Sequence, residues 1–313
     1  MQKPSVSAVI PNYNYGRFLP EAVESVLAQT YPCREIIVVD DGSTDDSLEI
    51  LKVYEARHGV KVIRQQNLGV GAARNAGARA STGELVAFLD ADDYWLPRKT
   101  EKQIERLISD KEFGFVTCGM QEFDAAGNVI RTYAEGMEGW HADDILLIKS
   151  VTAGPGSSSM LWRRIFEKVG GFDERKEMHP SEDWEFSYRV ARAAKIAFVP
   201  EILVAYRNHG GNGHLKVPRF ERAMLLAYEK IFRNGDMDAL KFRRKSYGNL
   251  YKTLAGSYLH AGQYGEFLKN TVKSLIYTPE NLPHFAAFPL RRLRKKDYER
   301  TLANGTKRKV RAD

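Results

Sequence analysis

Between Val6 and Pro97, short apolar, β-branched runs alternate with helix-patterned segments, and that order restricts the fold more than any other feature of the chain. The series reads VSAVI, a helical pattern from Phe18 to Gln29, EIIVVD, then a helix from Thr44 to His58. It continues with VKVIR, a small-residue helix around Gly71 to Ala80, LVAFLD, and a helix opening at Pro97. Strands that alternate with helices build a parallel sheet whose crossovers cover its faces. Ser43 or Thr44 offers an N-cap, Gly59 a C-terminal stop, and Pro97 suits a first helical turn. In such sheets ligands bind beyond the carboxyl ends of the strands. Three polar clusters fall at those ends: PNYN after the first strand, DDGSTDD after the second and DADD after the fourth.

From Phe113 the pattern changes. FGFVTCGMQEF and VIRTY flank DAAGN, which predicts a hairpin. Further on come GPGSSSMLW, GGFDE, a helix beginning near Glu182 and the strand-like AFVPEILVAYRNH, and residues 218–277 read as helices. The predicted organisation is one α/β domain over 1–215, with a first half to 112 and a second from 113. A helical region over 216–283 and a basic tail over 284–313 follow.

The formal net charge of +7 belongs to that tail. His284 to Asp313 holds ten Lys or Arg against three Asp or Glu, and the remaining residues carry 37 of each sign. A basic tail suits an anionic membrane face or simply solvent, and no nucleic-acid partner is expected. The apolar LPHFAAFPL just ahead of it supports the membrane side, although its prolines interrupt a continuous amphipathic helix. No apolar stretch approaches the ~20 residues of a bilayer span, and MQKPSVSAVIPNY passes into a strand without a signal-peptide layout. The expected location is cytoplasmic, peripheral on the inner membrane face. Cys33 and Cys118 stand far apart with no CxxC neighbour, so neither a disulfide framework nor a zinc site is indicated.

The run ELVAFLDADDYW places Asp90, Asp92 and Asp93 just past a buried strand. Hard divalent cations such as Mg²⁺ or Mn²⁺ prefer oxygen ligands, and Mg²⁺ is usually held by one or two carboxylates plus substrate phosphates. Asp90 and Asp92, two apart on an extended chain, would face one way, leaving Asp93 to brace the turn. Acids after a strand also merely solvate a loop or cap a helix. Tyr13 at a strand end suits stacking on a flat base, and Asp41 suits a base or ribose hydrogen bond, though Asp and Ser there also cap helices. Arg74 lies on a glycine-interrupted helix within reach of a nucleotide. GVGAARNAG is not GxGxxG, so no dinucleotide fingerprint is present.

Together VSAVIPNYNYGRFLPEAVESVLAQTYPCREIIVVDDGSTDDS, NLGVGAARNAGARASTGELVAFLDADDYWLP, GGFDE and SEDWEFSYRV resemble the family 2 inverting glycosyltransferases. Several ordered motifs carry this likeness, unlike a lone Asp-x-Asp. The resemblance implies the GT-A fold, a Rossmann-like, mostly parallel central sheet flanked by helices, here with a helical C-terminal extension. It implies uracil contacts from Pro11, Tyr13 and Asp41, a nucleotide contact from Arg74, a ribose-side Asp90 and a metal ligand in Asp92, with Mn²⁺ or Mg²⁺ as cofactor. Asp183 matches the catalytic base, with Glu182 beside it. Arg207 and His209 resemble positions near the diphosphate or metal, and GPGSSSMLW with Trp162 or Trp184 suits an acceptor pocket. The expected partners are a UDP-sugar donor and a saccharide or lipid-linked saccharide acceptor of cell-surface polysaccharide assembly. A nucleotidyltransferase would need a Gly- and Arg-rich loop where PNYNYGR stands, and a glycoside hydrolase would need no nucleotide-binding half. A decayed sugar-nucleotide-binding module is the non-enzyme alternative, against which the presence of both Asp92 and Asp183 argues.

Overall fold

The computed structural model describes residues 3–149, 155–209, 217–233 and 237–287. The chain divides into two compact units, Met1–Leu240 and Lys241–Asp313. The first opens with β1 (Val6–Asn12), α1 (Leu19–Leu27), β2 (Glu35–Asp40), α2 (Ser47–His58), β3 (Lys61–Arg64), α3 (Val70–Ala80) and β4 (Leu85–Phe88). Then come β5 (Tyr94–Trp95), α4 (Lys99–Ile108), β6 (Phe113–Phe123), β7 (Val129–Tyr133), α5 (Ala142–Leu146), α6 (Pro155–Ser158), β8 (Met160–Trp162) and α7 (Arg163–Val169). It closes with α8 (Glu182–Ala193), β9 (Lys195–Arg207), α9 (Val217–Arg233) and α10 (Met237–Leu240).

The strands form one sheet in the order β3-β2-β1-β4-β8-β6-β9-β5, with β7 on β6. The first four pair in parallel, as the alternation predicts. Beyond β4 the sheet is mixed: β8 runs antiparallel to β4 and β6, and β9 lies parallel to β6. A five-residue turn between β6 and β7 leaves no room for a crossover, so that pair is antiparallel. β1 has β2 on one side and β4 on the other, which makes their carboxyl ends the point where the strand order reverses. Pro11 lacks an N–H but disturbs nothing, because the β1–β4 pairing stops at Val9.

Both faces of β1 and β2 are covered, which is why they read as continuous apolar runs. Val6, Ala8, Ile10, Ile36 and Val38 join Leu19, Val23 and Val26 on one face, while Ile37 and Val39 meet Ala73 on the other. α3 can approach this closely only through Gly77, where a Cβ would lie 2.3 Å from Val9 Cγ1. α2 starts at Ser47 behind Asp46, later than a Ser43 or Thr44 cap predicts. Those two residues instead hold the β1 loop: Asn14 N donates to Ser43 Oγ at 2.9 Å and Thr44 N to Asn14 Oδ1 at 2.7 Å. Gly59 does end α2, at φ 64°.

The first unit runs past residue 215, where the sequence places a boundary. α9 belongs to it because Tyr228 Oη donates to Leu146 O at 2.7 Å and Lys230 pairs with Asp173 and Glu185 at 2.9 and 3.0 Å. The second unit contains α11 (Arg243–His260), α12 (Tyr264–Tyr277) and α13 (Leu282–Ala286), with α11 packed on α12. The basic stretch beyond Ala287 lies outside the described residues. Among the described residues no helix is long and apolar enough to cross a membrane.

Candidate active site

A cleft of about 750 Å³ opens at the strand-order reversal, walled by the loops after β1, β2 and β4 and by the start of α8. Pro11, Tyr13, Asp41, Arg74, Asp90, Asp92, Glu182 and Asp183 all line it. Residues separated by the whole length of the sheet therefore share one cavity. After β4 the chain does not stay extended: Asp93 N donates to Asp90 O at 3.0 Å, closing a turn. Strand alternation, the basis on which the sequence paired Asp90 with Asp92, does not operate there; the turn itself presents both.

Each acid of that turn has its own support. Asp92 Oδ2 lies 2.9 Å from His209 Nε2, and the His209 ring in turn stacks edge-on to Tyr15, 5.5 Å between centroids. Asp93 is buried and braces the turn as expected, accepting from Ser157 Oγ and, at 2.9 Å, from Arg207 N. Burial, and then the charge of Asp90, push the Asp92 carboxyl above its ordinary range, while the His209 hydrogen bond pulls it back. Burial and the charges of Asp92 and Asp90 drive Asp93 well above that range. The same burial and the same two carboxylates raise the Tyr15 phenol to about 12.

Arg74 ties the two halves of the site together. Its guanidinium, 3% exposed, donates to Asp90 Oδ1 at 2.7 Å and to Glu182 Oε1 at 3.1 Å, and lies 5.3 Å from the Phe172 ring centre. Burial alone would lower its pKa, but the charges of Asp90, Glu182 and Asp183 raise it. Burial likewise lifts the Glu182 carboxyl, yet a 3.3 Å contact with His179 and the Arg74 charge hold it below the usual range. For Asp183 the balance is opposite: burial and the Glu182 charge outweigh the Arg74 charge and a 2.7 Å hydrogen bond from Trp184 N, and push it up to about 7. Both acids open α8, where a helix N-terminus favours negative charge.

At the β1–β2 end, Asp41 is buried and accepts from Gln65 Nε2, Leu68 N and Gly69 N at 2.7 to 2.8 Å, so it fixes the loop that starts α3. Asn12 Nδ2 bonds Asp40 Oδ1 at 3.0 Å beneath it. Tyr13, 44% exposed, offers its ring to the cleft.

Three residues named from the sequence, Arg207, Trp162 and Trp184, are not among those that line the cleft. The Arg207 side chain contacts Asp92 O, Glu21 and the Phe18 and Phe123 rings, so it buttresses the loop after β4. Trp162 pairs with Leu85 inside the sheet and donates to Phe113 O at 3.1 Å, and Trp184 packs edge-on against Tyr228. GPGSSS does reach the site: Gly156, Ser157 and Ser158 line it. His179, Arg219 and Tyr15 line it as well, although nothing in the sequence singled them out. Only the closing of the chain brings Arg219 of α9 to His179 O, at 3.3 Å.

Among the described residues no three His, Cys, Asp or Glu side chains form a metal cage. The residues present fit a half-site for a hard cation. Asp90 and Asp92 each commit one oxygen to Arg74 or His209, and their mutual repulsion is the kind of strain a divalent ion relieves.

Residues 7–170 match the family model described as Glycosyl transferase family 2. The uncharacterized glycosyltransferase alr2836 of Nostoc is 38% identical over 219 residues, 67% of this chain and 66% of that protein. The match spans only 35% and 36% of two further relatives. Among solved structures, S. aureus TarS 1-349 in complex with UDP-GlcNAc has a TM-score of 0.61 at 18% identity, over 87% of this chain and 91% of that one. Mannosyltransferase PcManGT from Pyrobaculum calidifontis, in complex with GDP-Man and Mn²⁺, has a TM-score of 0.58 at 18% identity, over 89% and 82%. At these identities the likeness concerns the fold, which is that of the GT-A glycosyltransferases.

Proposed function

Since the chain belongs to glycosyl transferase family 2, we propose that it is a metal-dependent inverting glycosyltransferase, moving a sugar from a UDP-sugar to a hydroxyl of a saccharide or lipid-linked saccharide. One observation carries this reading: Asp90 and Asp92 at a strand end and Asp183 at a helix start line a single cleft. Tyr13 and the Asp41 loop receive the nucleoside. Asp90 and Asp92 would hold Mn²⁺ or Mg²⁺ against the donor diphosphate, and His209 keeps Asp92 in place. When bound, the ion supplies Lewis-acid neutralisation of the departing diphosphate.

Asp183 takes the proton of the acceptor hydroxyl as its oxygen attacks the anomeric carbon. The bond to the β-phosphate oxygen breaks with its electron pair leaving on UDP, so the centre inverts and no covalent enzyme intermediate forms. Arg74 and Glu182 are positioning residues: their ion pair holds α8 against the β4 turn. TarS was crystallised with UDP-GlcNAc and PcManGT with GDP-Man, which supports a sugar nucleotide in this fold. A match to a chondroitin synthase of Escherichia coli, 38% identical over 128 residues, 41% of this chain and 19% of that protein, supports a role in polysaccharide assembly.

The test is thermal stabilisation by a panel of UDP- and GDP-sugars with Mn²⁺. A UDP-sugar is expected to raise Tm in wild type and to lose the Mn²⁺-dependent part in Asp92→Ala. Stabilisation by GDP-sugars alone would remove the donor assignment, and stabilisation by none would remove the transferase reading.

A further inference from the structure

The polarity of α12 is inverted. Tyr264, Leu268, Val272 and Ile276 are 57%, 60%, 56% and 65% exposed, whereas Asn270 and Ser274 are fully buried. Apolar residues four apart form one continuous stripe along a helix, and here that stripe faces away from α11. The inward face is polar because α11 and α12 close through small groups. Ser274 Oγ donates to Gly248 O at 2.8 Å, Asn281 Nδ2 donates to Ser274 Oγ at 3.0 Å, and a Cβ on Gly248 would lie 2.0 Å from Thr278 Oγ1. A continuous exposed apolar stripe beside polar residues marks an interaction surface.

Charge identifies the occupant. The described part of the second unit, residues 241–287, holds seven Lys or Arg against two Asp or Glu, while the first unit holds 30 against 35. Lys269 follows Leu268 at the edge of the stripe and pairs with Glu266 at 3.1 Å, whereas the Lys273 ammonium turns inward, 4.8 Å over the Tyr251 ring of α11. A second copy of so basic a surface would repel itself. A lipid bilayer with anionic headgroups matches both features, since interfacial helices bury an apolar face and set cations on the headgroups.

We propose that α12 docks on an anionic membrane, with the Tyr264, Leu268, Val272 and Ile276 stripe in the headgroup boundary and the basic residues of 241–287 supplying the attraction to lipid phosphates. The stripe is a folded surface, distinct from the sequence-level attraction of the tail.

Cosedimentation of the full chain with phosphatidylcholine vesicles, with and without phosphatidylglycerol, tests this. Binding is expected only with phosphatidylglycerol, weakened by salt and lost in the Leu268→Glu, Val272→Glu double variant. Both residues are exposed, so the variant should keep the wild-type Tm. In Ile276→Trp, the emission of the new indole should shift to the blue on anionic vesicles. Wild type that fails to sediment, a double variant that sediments unchanged, or an emission that does not move would each overturn the proposal. Dissociation of a lipid-free dimer by the double variant, with no vesicle binding by wild type, would assign the stripe to self-association instead.

Discussion

The Asp183 carboxyl stands at about 7 because burial and the neighbouring Glu182 charge both penalise its ionised form. A base must be deprotonated to act, and a carboxyl raised to this point ionises only as the pH climbs through that value. The kcat/KM, which reports ionisations of the free enzyme, should therefore fall with the deprotonated fraction below about pH 7 and level off above it. A flat profile from pH 5 to 8 would remove Asp183 as the base. Asp183→Asn, assayed by product formation and by calorimetric titration with UDP, should lose about 10²–10⁴-fold in turnover while UDP affinity stays near wild type. At this scale the acids were legible, since DADD and SED stand out beside apolar runs. The office of Arg74 was not: a guanidinium on a small-residue helix gives no sign that two carboxylates will close on it.

At the scale of elements, the loop carrying Ser157 holds the β4 turn. Ser157 Oγ accepts from Asp90 N at 3.0 Å and donates to Asp93 Oδ2, while Trp95 Nε1 fastens the same loop through Ser157 O at 2.9 Å. Ser157→Ala should cost about 1–3 kcal/mol, because it strips a donor from a buried carboxylate. It should also weaken Mn²⁺-dependent UDP binding by loosening the pair Asp90 and Asp92. Urea unfolding and a UDP titration with and without Mn²⁺ measure the two effects, and an unchanged Mn²⁺ dependence would leave the loop no part in the site. The strands and helices from β1 to β4 were readable from periodicity, as were the DAAGN hairpin and the Gly59 stop, whereas β5, β8, α5, α6 and α7 were not. The start of α2 was misplaced because Ser43 and Thr44 serve the neighbouring loop, a tertiary demand that outranks their local capping preference.

For the whole molecule, every residue assigned here to donor, metal or base lies in Met1–Leu240, which is one compact unit. A fragment ending at Leu240 should unfold cooperatively and bind the donor sugar nucleotide with wild-type affinity. Loss of binding by a fragment that still unfolds cooperatively would show that the second unit takes part in the site. α9 groups with the first unit because Tyr228 and Lys230 find their partners on α5 and α8 and at Asp173, which no local pattern records. By itself the sequence determined the order of strands and helices from β1 to β4, the parallel half of the sheet and the acids at strand ends, since periodicity and turn chemistry are properties of short segments. Only the tertiary structure decided that Arg74 meets Glu182, that Ser157 and His209 hold the carboxylates, and that Trp162, Trp184 and Arg207 stay out of the cleft. Those pairings join residues far apart along the chain, and which charges and rings meet depends on how the sheet and its helices pack.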